Sequence, residues 1–351
     1  MTQTVVVAVD AGGADAGPAE VSRAAELAAV EHRVRVLLFG PASALGTATP
    51  NVEVHDAPLS IAKHPDPARA VRAHPEASVV QAVRAVAEGR ADALVAGGST
   101  GAALAAGLFR IKRAPGVHRP ALAMRVPAPD HPFLMLDVGA NTAVRPEHLV
   151  QFAHMGSAYA ELLLGLESPR VALLSNGEEA TKGSEDVVAA HALLGQASAG
   201  LNFIGNVEGF GIATGAADVI VCDGFTGNVV IKMMEGASSA LMGAIRGAAE
   251  QGARFRLGGL LLRPALRGVR EAVDPERQGG AMLLGLRKPV VVPHGSFGAR
   301  GIAAAVGVAA RAVREDLGGR THAALEAGGA LRTREVTSAA PGSLPGIRDS
   351  R

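Results

Sequence analysis

Seven short segments combine glycine with charged, amide or hydroxyl side chains, and each follows a run of apolar residues. They read Asp10-Ala-Gly-Gly-Ala-Asp15, Gly97-Gly-Ser-Thr-Gly101, Asp137-Val-Gly-Ala-Asn141, Gly177-Glu-Glu-Ala-Thr-Lys-Gly183, Gly205-Asn-Val-Glu-Gly209, Asp223-Gly-Phe-Thr-Gly-Asn228 and His294-Gly-Ser296. In a doubly wound sheet, ligands bind outside the carboxyl ends of the strands, so these corners are where chemistry belongs. Gly98, Ser99, Thr100 and Gly101 open a helix, where free N–H groups and the dipole favour an anion such as phosphate. An ordinary N-cap with Ser99 or Thr100 as its hydroxyl reads the same way. Lys182 follows the Glu178–Glu179 pair, whose carboxylates could aim its ammonium at a substrate; a charged surface turn has the same composition. Asp223 emerges from the apolar run Val219–Cys222 and is either a group at the sheet's edge or a helix N-cap. Cys222, inside that run, is expected to pack as a small hydrophobe.

The elements that must position these corners follow from periodicity. Apolar runs predict strands at 4–10, 35–39, 51–55, 93–96, 121–126, 133–138, 171–174, 203–205, 219–223 and 290–293. Ala- and Leu-rich stretches of helical period predict helices at 18–32, 76–89, 101–111, 146–165, 185–195, 227–251 and 299–317. Alternation of the two gives an α/β fold with a mostly parallel sheet. No linker divides the chain, so 1–325 reads as one catalytic unit, and 326–351, rich in Gly, Pro and Ser, reads as a disordered tail. Within 252–275, the stretch from Arg254 to Arg270 carries five arginines and five leucines with no acid. That suits either a membrane interface or a packed helical hairpin, and Gly258, Gly259 and Pro264 argue against one straight helix.

Composition removes several classes of function. In 351 residues, 34 Lys+Arg balance 33 Asp+Glu, which lacks the surplus that nucleic-acid binding needs. A single cysteine forms no internal disulfide and suits a reducing compartment. The N-terminus shows no basic segment followed by an apolar core, so a cytoplasmic protein is expected, and no run of about 18 apolar residues suggests a span. Gly-x-Gly-x-x-Gly is absent after the first strand and the P-loop pattern is absent throughout; His294 is the one histidine placed near a site.

Taken in order, VDAGGAD, GGSTGAAL, RPALA, LDVGAN, LVQFAHMGSAYA, NGEEATKG, NFIGNVEG, ADVIVCDGFTGNVVIK, GGAMLLG and VPHGS resemble the bacterial phosphate acyltransferases over about residues 4–312. The resemblance implies an α/β/α sandwich related to phosphotransacetylases and isocitrate-type dehydrogenases. It implies a homodimer without metal or organic cofactor, loosely attached to the inner face of the membrane. The implied substrates are acyl-[acyl carrier protein] and inorganic phosphate, with acyl phosphate passed to a glycerol-3-phosphate acyltransferase for phospholipid synthesis. The implied catalytic pair is Lys182 and Asp223. Asp10, Gly13, Gly98, Ser99, Thr100, Gly101, Asn141, Glu178, Asn206, Glu208, Gly224, Thr226, Gly227, Asn228 and His294 would bind substrate. The chain departs from the family pattern at Gly12 and Ala14 in place of Met and Gly, at Ser99 in place of Asn, and at Phe210-Gly211 in place of Arg-Asp. Those departures leave two alternatives: a paralogue using an acyl-coenzyme A donor, or a non-catalytic membrane-associated scaffold.

Overall fold

The computed structural model describes residues 4–98, 100–128, 131–196 and 200–332. Ser99 and residues 333–351 of the expected tail therefore lie outside the described residues. The chain runs β1 (Val6–Asp10), α1 (Pro18–Glu31), β2 (Arg35–Gly40), α2 (Ala42–Leu45), β3 (Val52–Asp56), α3 (Pro67–Ala73), α4 (Ser78–Ala87), β4 (Ala93–Ala96) and α5 (Thr100–Ala106). It continues through β5 (Ala121–Val126), β6 (Phe133–Leu136), α6 (Pro146–Tyr159), β7 (Val171–Leu174), α7 (Glu185–Gln196), β8 (Phe203–Val207), α8 (Gly209–Ile212), β9 (Val219–Val221) and α9 (Gly224–Glu250). α10 (Ala253–Ala272), β10 (Ala281–Leu284), β11 (Val290–Val292), α11 (Ala299–Arg314) and α12 (Leu317–Ala327) complete it. A π-helical turn extends α5 over Gly107–Ile111 and another extends α6 over Ala160–Leu164.

All eleven strands join one sheet in the order β3-β2-β1-β4-β11-β10-β5-β6-β9-β7-β8. Strand residues alternate between its two faces: Val7 and Val9 pack into one core with α1, α6, α7, α11 and α12, while Ala8 packs into the other with α3, α4 and α5. The result is an α/β/α sandwich. Strands β4, β6 and β7 are buried throughout, which is why they read as unbroken apolar runs.

Sheet polarity changes the picture that the corners suggest. β3, β2, β1, β4 and β11 are mutually parallel, as are β6, β9, β7 and β8. Between these blocks, β10 pairs antiparallel with both β11 and β5, and β5 pairs antiparallel with β6. Three reversals make the two blocks run in opposite directions. The corners after β1, β4 and β11 therefore lie along one margin of the sheet, and those after β6, β7, β8 and β9 along the other.

The structure departs from the sequence expectations elsewhere too. β10, four residues without a β-branched side chain, was not expected. α10 runs unbroken through Pro264, because the carbonyl that proline leaves without a partner belongs to Leu260, which is 62% exposed. Described structure extends beyond Leu325 to Arg332, whose N–H donates to the Gly116 carbonyl at 2.8 Å. No helix among the described residues is long and apolar enough to cross a membrane.

Candidate functional site

On the first margin, glycine lets three corners touch. A Cβ on Gly13 would stand 1.9 Å from the Gly97 carbonyl oxygen, and one on Gly98, at φ +72°, 2.0 Å from that of Gly13. Asp15 N–H donates to Gly295 O at 2.8 Å and Gly98 N–H to Pro293 O at 3.2 Å, so β1, β4 and β11 end in one knot. Asp10 is buried beneath it; its Oδ1 accepts from Gly12 N–H at 2.9 Å. Burial pushes its carboxyl up to about 6, against the pull of Ser78 and Gly12. Thr100 opens α5, and Gly101 packs on Pro67. His294 is exposed, its Nδ1 2.8 Å from Ser296 Oγ.

On the second margin, Asp137 is the hub, and sequence reasoning passed it over in favour of Asn141. It is fully buried, and its carboxylate accepts from Leu122, Gly139, Ala140 and Asn141 N–H at 2.8–3.1 Å and from Asn141 Nδ2 at 2.7 Å. Burial raises its pKa against those bonds. Its turn is pinned to the start of α9: Gly224 N–H donates to Asn141 O at 2.7 Å and Asn228 Nδ2 to Val138 O at 3.3 Å. A Cβ on Gly227 would stand 1.9 Å from Asp137 O. Arg119, which no spacing signal marked, places Nη1 3.5 Å from Asn141 Oδ1.

Asp223 is the N-cap of α9. Its Oδ1 accepts from Thr226 N–H at 2.9 Å and its Oδ2 from Thr226 Oγ1 at 2.6 Å, yet the side chain is only partly buried. Gly227 N–H donates to Asp223 O at 3.0 Å, so three amides of this turn, those of Gly224, Thr226 and Gly227, already have partners. The Cys222 thiol is buried and held well above its ordinary range by burial and then by Asp223 and Asp137, which suits packing rather than attack.

Lys182 stands exposed on its turn, and among the described residues it forms no ion pair with Glu178 or Glu179. Its stem lies against Gly177. The turn is pinned from below by Asn206, buried within β8, whose Nδ2 donates to Glu179 O at 2.9 Å. Asn206 Oδ1 and Ser175 Oγ are buried beneath the turn without a partner among the described residues. Glu208 is exposed just beyond. No hydrogen bond or ion pair among the described residues links the two margins. None of their His, Cys, Asp and Glu residues cluster in threes that could hold a metal ion.

Two departures from the family pattern match their local packing. A Cβ on Gly12 would stand 2.3 Å from Ser78 Oγ, and one on Gly211 2.6 Å from Val207 Cγ2. Phe210 beside it is 80% exposed.

The architecture is that of the phosphotransacetylases. A phosphotransacetylase from Streptococcus pyogenes superimposes with a TM-score of 0.60 at 17% identity, covering 90% of this chain and 95% of that one. A branched-chain phosphotransacylase from Enterococcus faecalis gives 0.57 at 18%, covering 88% and 99%. Sequence narrows the class. The family model described as "Fatty acid synthesis protein" matches residues 5–320. A phosphate acyltransferase of Heliobacterium modesticaldum is 45% identical over 318 residues, covering 88% of this chain and 94% of its own, and one of Moorella thermoacetica is 44% identical over 317, covering 89% and 93%. The chain belongs to the phosphate acyltransferase family, and is an acyltransferase of fatty acid synthesis.

Proposed function

We propose that this acyltransferase moves an acyl group from acyl-[acyl carrier protein] to inorganic phosphate, releasing free carrier protein and acyl phosphate for phospholipid synthesis. A phosphate oxygen attacks the thioester carbonyl, the C–O bond forms, and the C–S bond breaks to release the carrier thiolate, which takes up the proton that phosphate gives up. Phosphate is a competent nucleophile at neutral pH and a thiolate a competent leaving group, so positioning and charge carry the rate. The observation that carries this reading is Lys182: an exposed ammonium without an ion-pair partner among the described residues, on a turn held by buried Asn206. Lys182 neutralises phosphate or the developing oxyanion. Asp223, with both oxygens fixed by Thr226, orients the nucleophile or relays its proton.

The homodimer and the membrane contact belong to the same proposal. Beyond Ile231, α9 has no buried residue, and none of the described residues of α10 is buried. Leu260, Leu261 and Leu262 are 58–75% exposed, flanked by Arg256 and Arg263. The hairpin offers apolar surface to a second copy and to anionic lipid. Phosphate-dependent release of carrier protein from long-chain acyl-[acyl carrier protein], run beside acyl-coenzyme A, tests the donor. Release from the carrier supports the proposal; release only from acyl-coenzyme A makes the chain a phosphotransacylase; neither, from folded protein, leaves the scaffold alternative.

A further inference from the structure

A groove of about 1380 Å³ opens between the π-helical end of α5, residues 112–118, the end of α7 and residues 328–332. Phe109, Val117 and Leu331 give it an apolar wall, while Lys112, Arg113 and Arg332 rim it. Glu147 is the one acid among its lining residues. The three cations are exposed and form no ion pair among the described residues.

The walls are preformed. Buried Gln151 accepts from His118 N–H at 2.8 Å and donates to Gly116 O at 2.9 Å and Ala330 O at 2.7 Å. Lys112 is held at φ +70° by its N–H to Gly107 O, which closes the π turn. The His118 imidazole is held below its ordinary pKa by burial, and Arg332, Arg113 and Arg145 add to that, opposed by Glu147. The groove's wall is bonded to the second margin: Arg119 follows His118 and places Nη1 3.5 Å from Asn141 Oδ1, and the Asn141 carbonyl accepts from Gly224 N–H beside Asp223.

We propose that this groove docks the acidic protein that carries the acyl donor, an amphipathic helix laying its apolar side against Phe109 and Leu331 and its carboxylates against Lys112, Arg113 and Arg332. This rests on the reading of acyl-[acyl carrier protein] as donor. A preformed apolar trough with unpaired cations at its rim complements an acidic helix. The lipid-facing features, outward leucines between arginines, are on α10 instead.

The test replaces two exposed rim residues, Lys112→Glu with Arg332→Glu, in the full chain. Kinetics are measured with acyl-[acyl carrier protein] and with an acyl-pantetheine thioester too small to span the groove, and carrier affinity is measured directly by titration. The expected result is a rise of at least about tenfold in KM and Kd for the carrier that shrinks with added salt, with kcat and the small thioester unaffected. An unchanged carrier KM and Kd, an equal loss with the small thioester, or a loss confined to binding of phosphatidylglycerol vesicles would overturn the groove. If wild type binds the carrier but does not turn it over, the donor reading fails, and weaker carrier binding by the variant still supports the groove. If wild type does not bind the carrier, the groove proposal fails.

Discussion

Asp10 and Asp137 are both buried carboxyls at strand ends, but their surroundings differ. Asp137 collects five hydrogen bonds and serves as a pin, whereas Asp10 has two partners and its carboxyl is pushed up from 3.8 to about 6. A carboxyl raised in the folded state stabilises fully below its unfolded pKa and loses that contribution as pH climbs through its folded pKa. For Asp10 that window runs from 3.8 to about 6, and the contribution lost across it is about 3 kcal/mol. Asp10→Asn keeps an acceptor for Gly12 N–H and removes the charge. Urea midpoints measured across that window should therefore fall less steeply in the variant than in wild type; parallel slopes would contradict a buried, raised Asp10. At this scale the sequence exposed which corners carry charge but not which side chain holds each corner. "Asp-Val-Gly-Ala-Asn" looks the same whether Asp137 or Asn141 is the pin, since five converging N–H groups are a property of the folded turn.

Turns and helix starts interlock through glycines that touch backbone. Gly227→Ala would force a methyl into the Asp137 carbonyl, so it should cost at least about 2 kcal/mol and reduce turnover by loosening the α9 start. Gly243→Ala, on the exposed part of the same helix with nothing within 4 Å, should be neutral or stabilise by up to about 1 kcal/mol. Equal effects from chemical denaturation of the two variants would contradict the interlock. Most elements were legible, because fully buried strands write themselves as apolar runs and the seven corners fall at strand ends in the structure, although β8 runs on through Gly205, Asn206 and Val207 of its corner. The reversal at β10 and β5 was not. Ala281–Leu284 resembles any short apolar stretch, and strand direction depends on pairing partners that lie more than a hundred residues away. The site residues thus read as one list in the sequence but fall on two margins of one sheet.

At the scale of the molecule, a closed sandwich carries an open hairpin. α9 spans 27 residues, or about 40 Å at 1.5 Å per residue, and buries only Gly224, Gly227 and Ile231. Replacing Leu260, Leu261 and Leu262 by Ser should change stability by no more than about 0.5 kcal/mol each, because all three are exposed. The same variant should lose retention on anionic vesicles in a flotation assay; undiminished retention would contradict the lipid-facing role. Lys182 is the residue on which the proposed reaction depends most, and the most direct measurement is kcat/KM for phosphate-dependent release of carrier protein from acyl-[acyl carrier protein], wild type against Lys182→Ala. A loss of at least about 100-fold with unchanged folding is predicted, the scale on which one oxyanion donor acts; near-normal turnover would contradict the assignment of the reaction to this site.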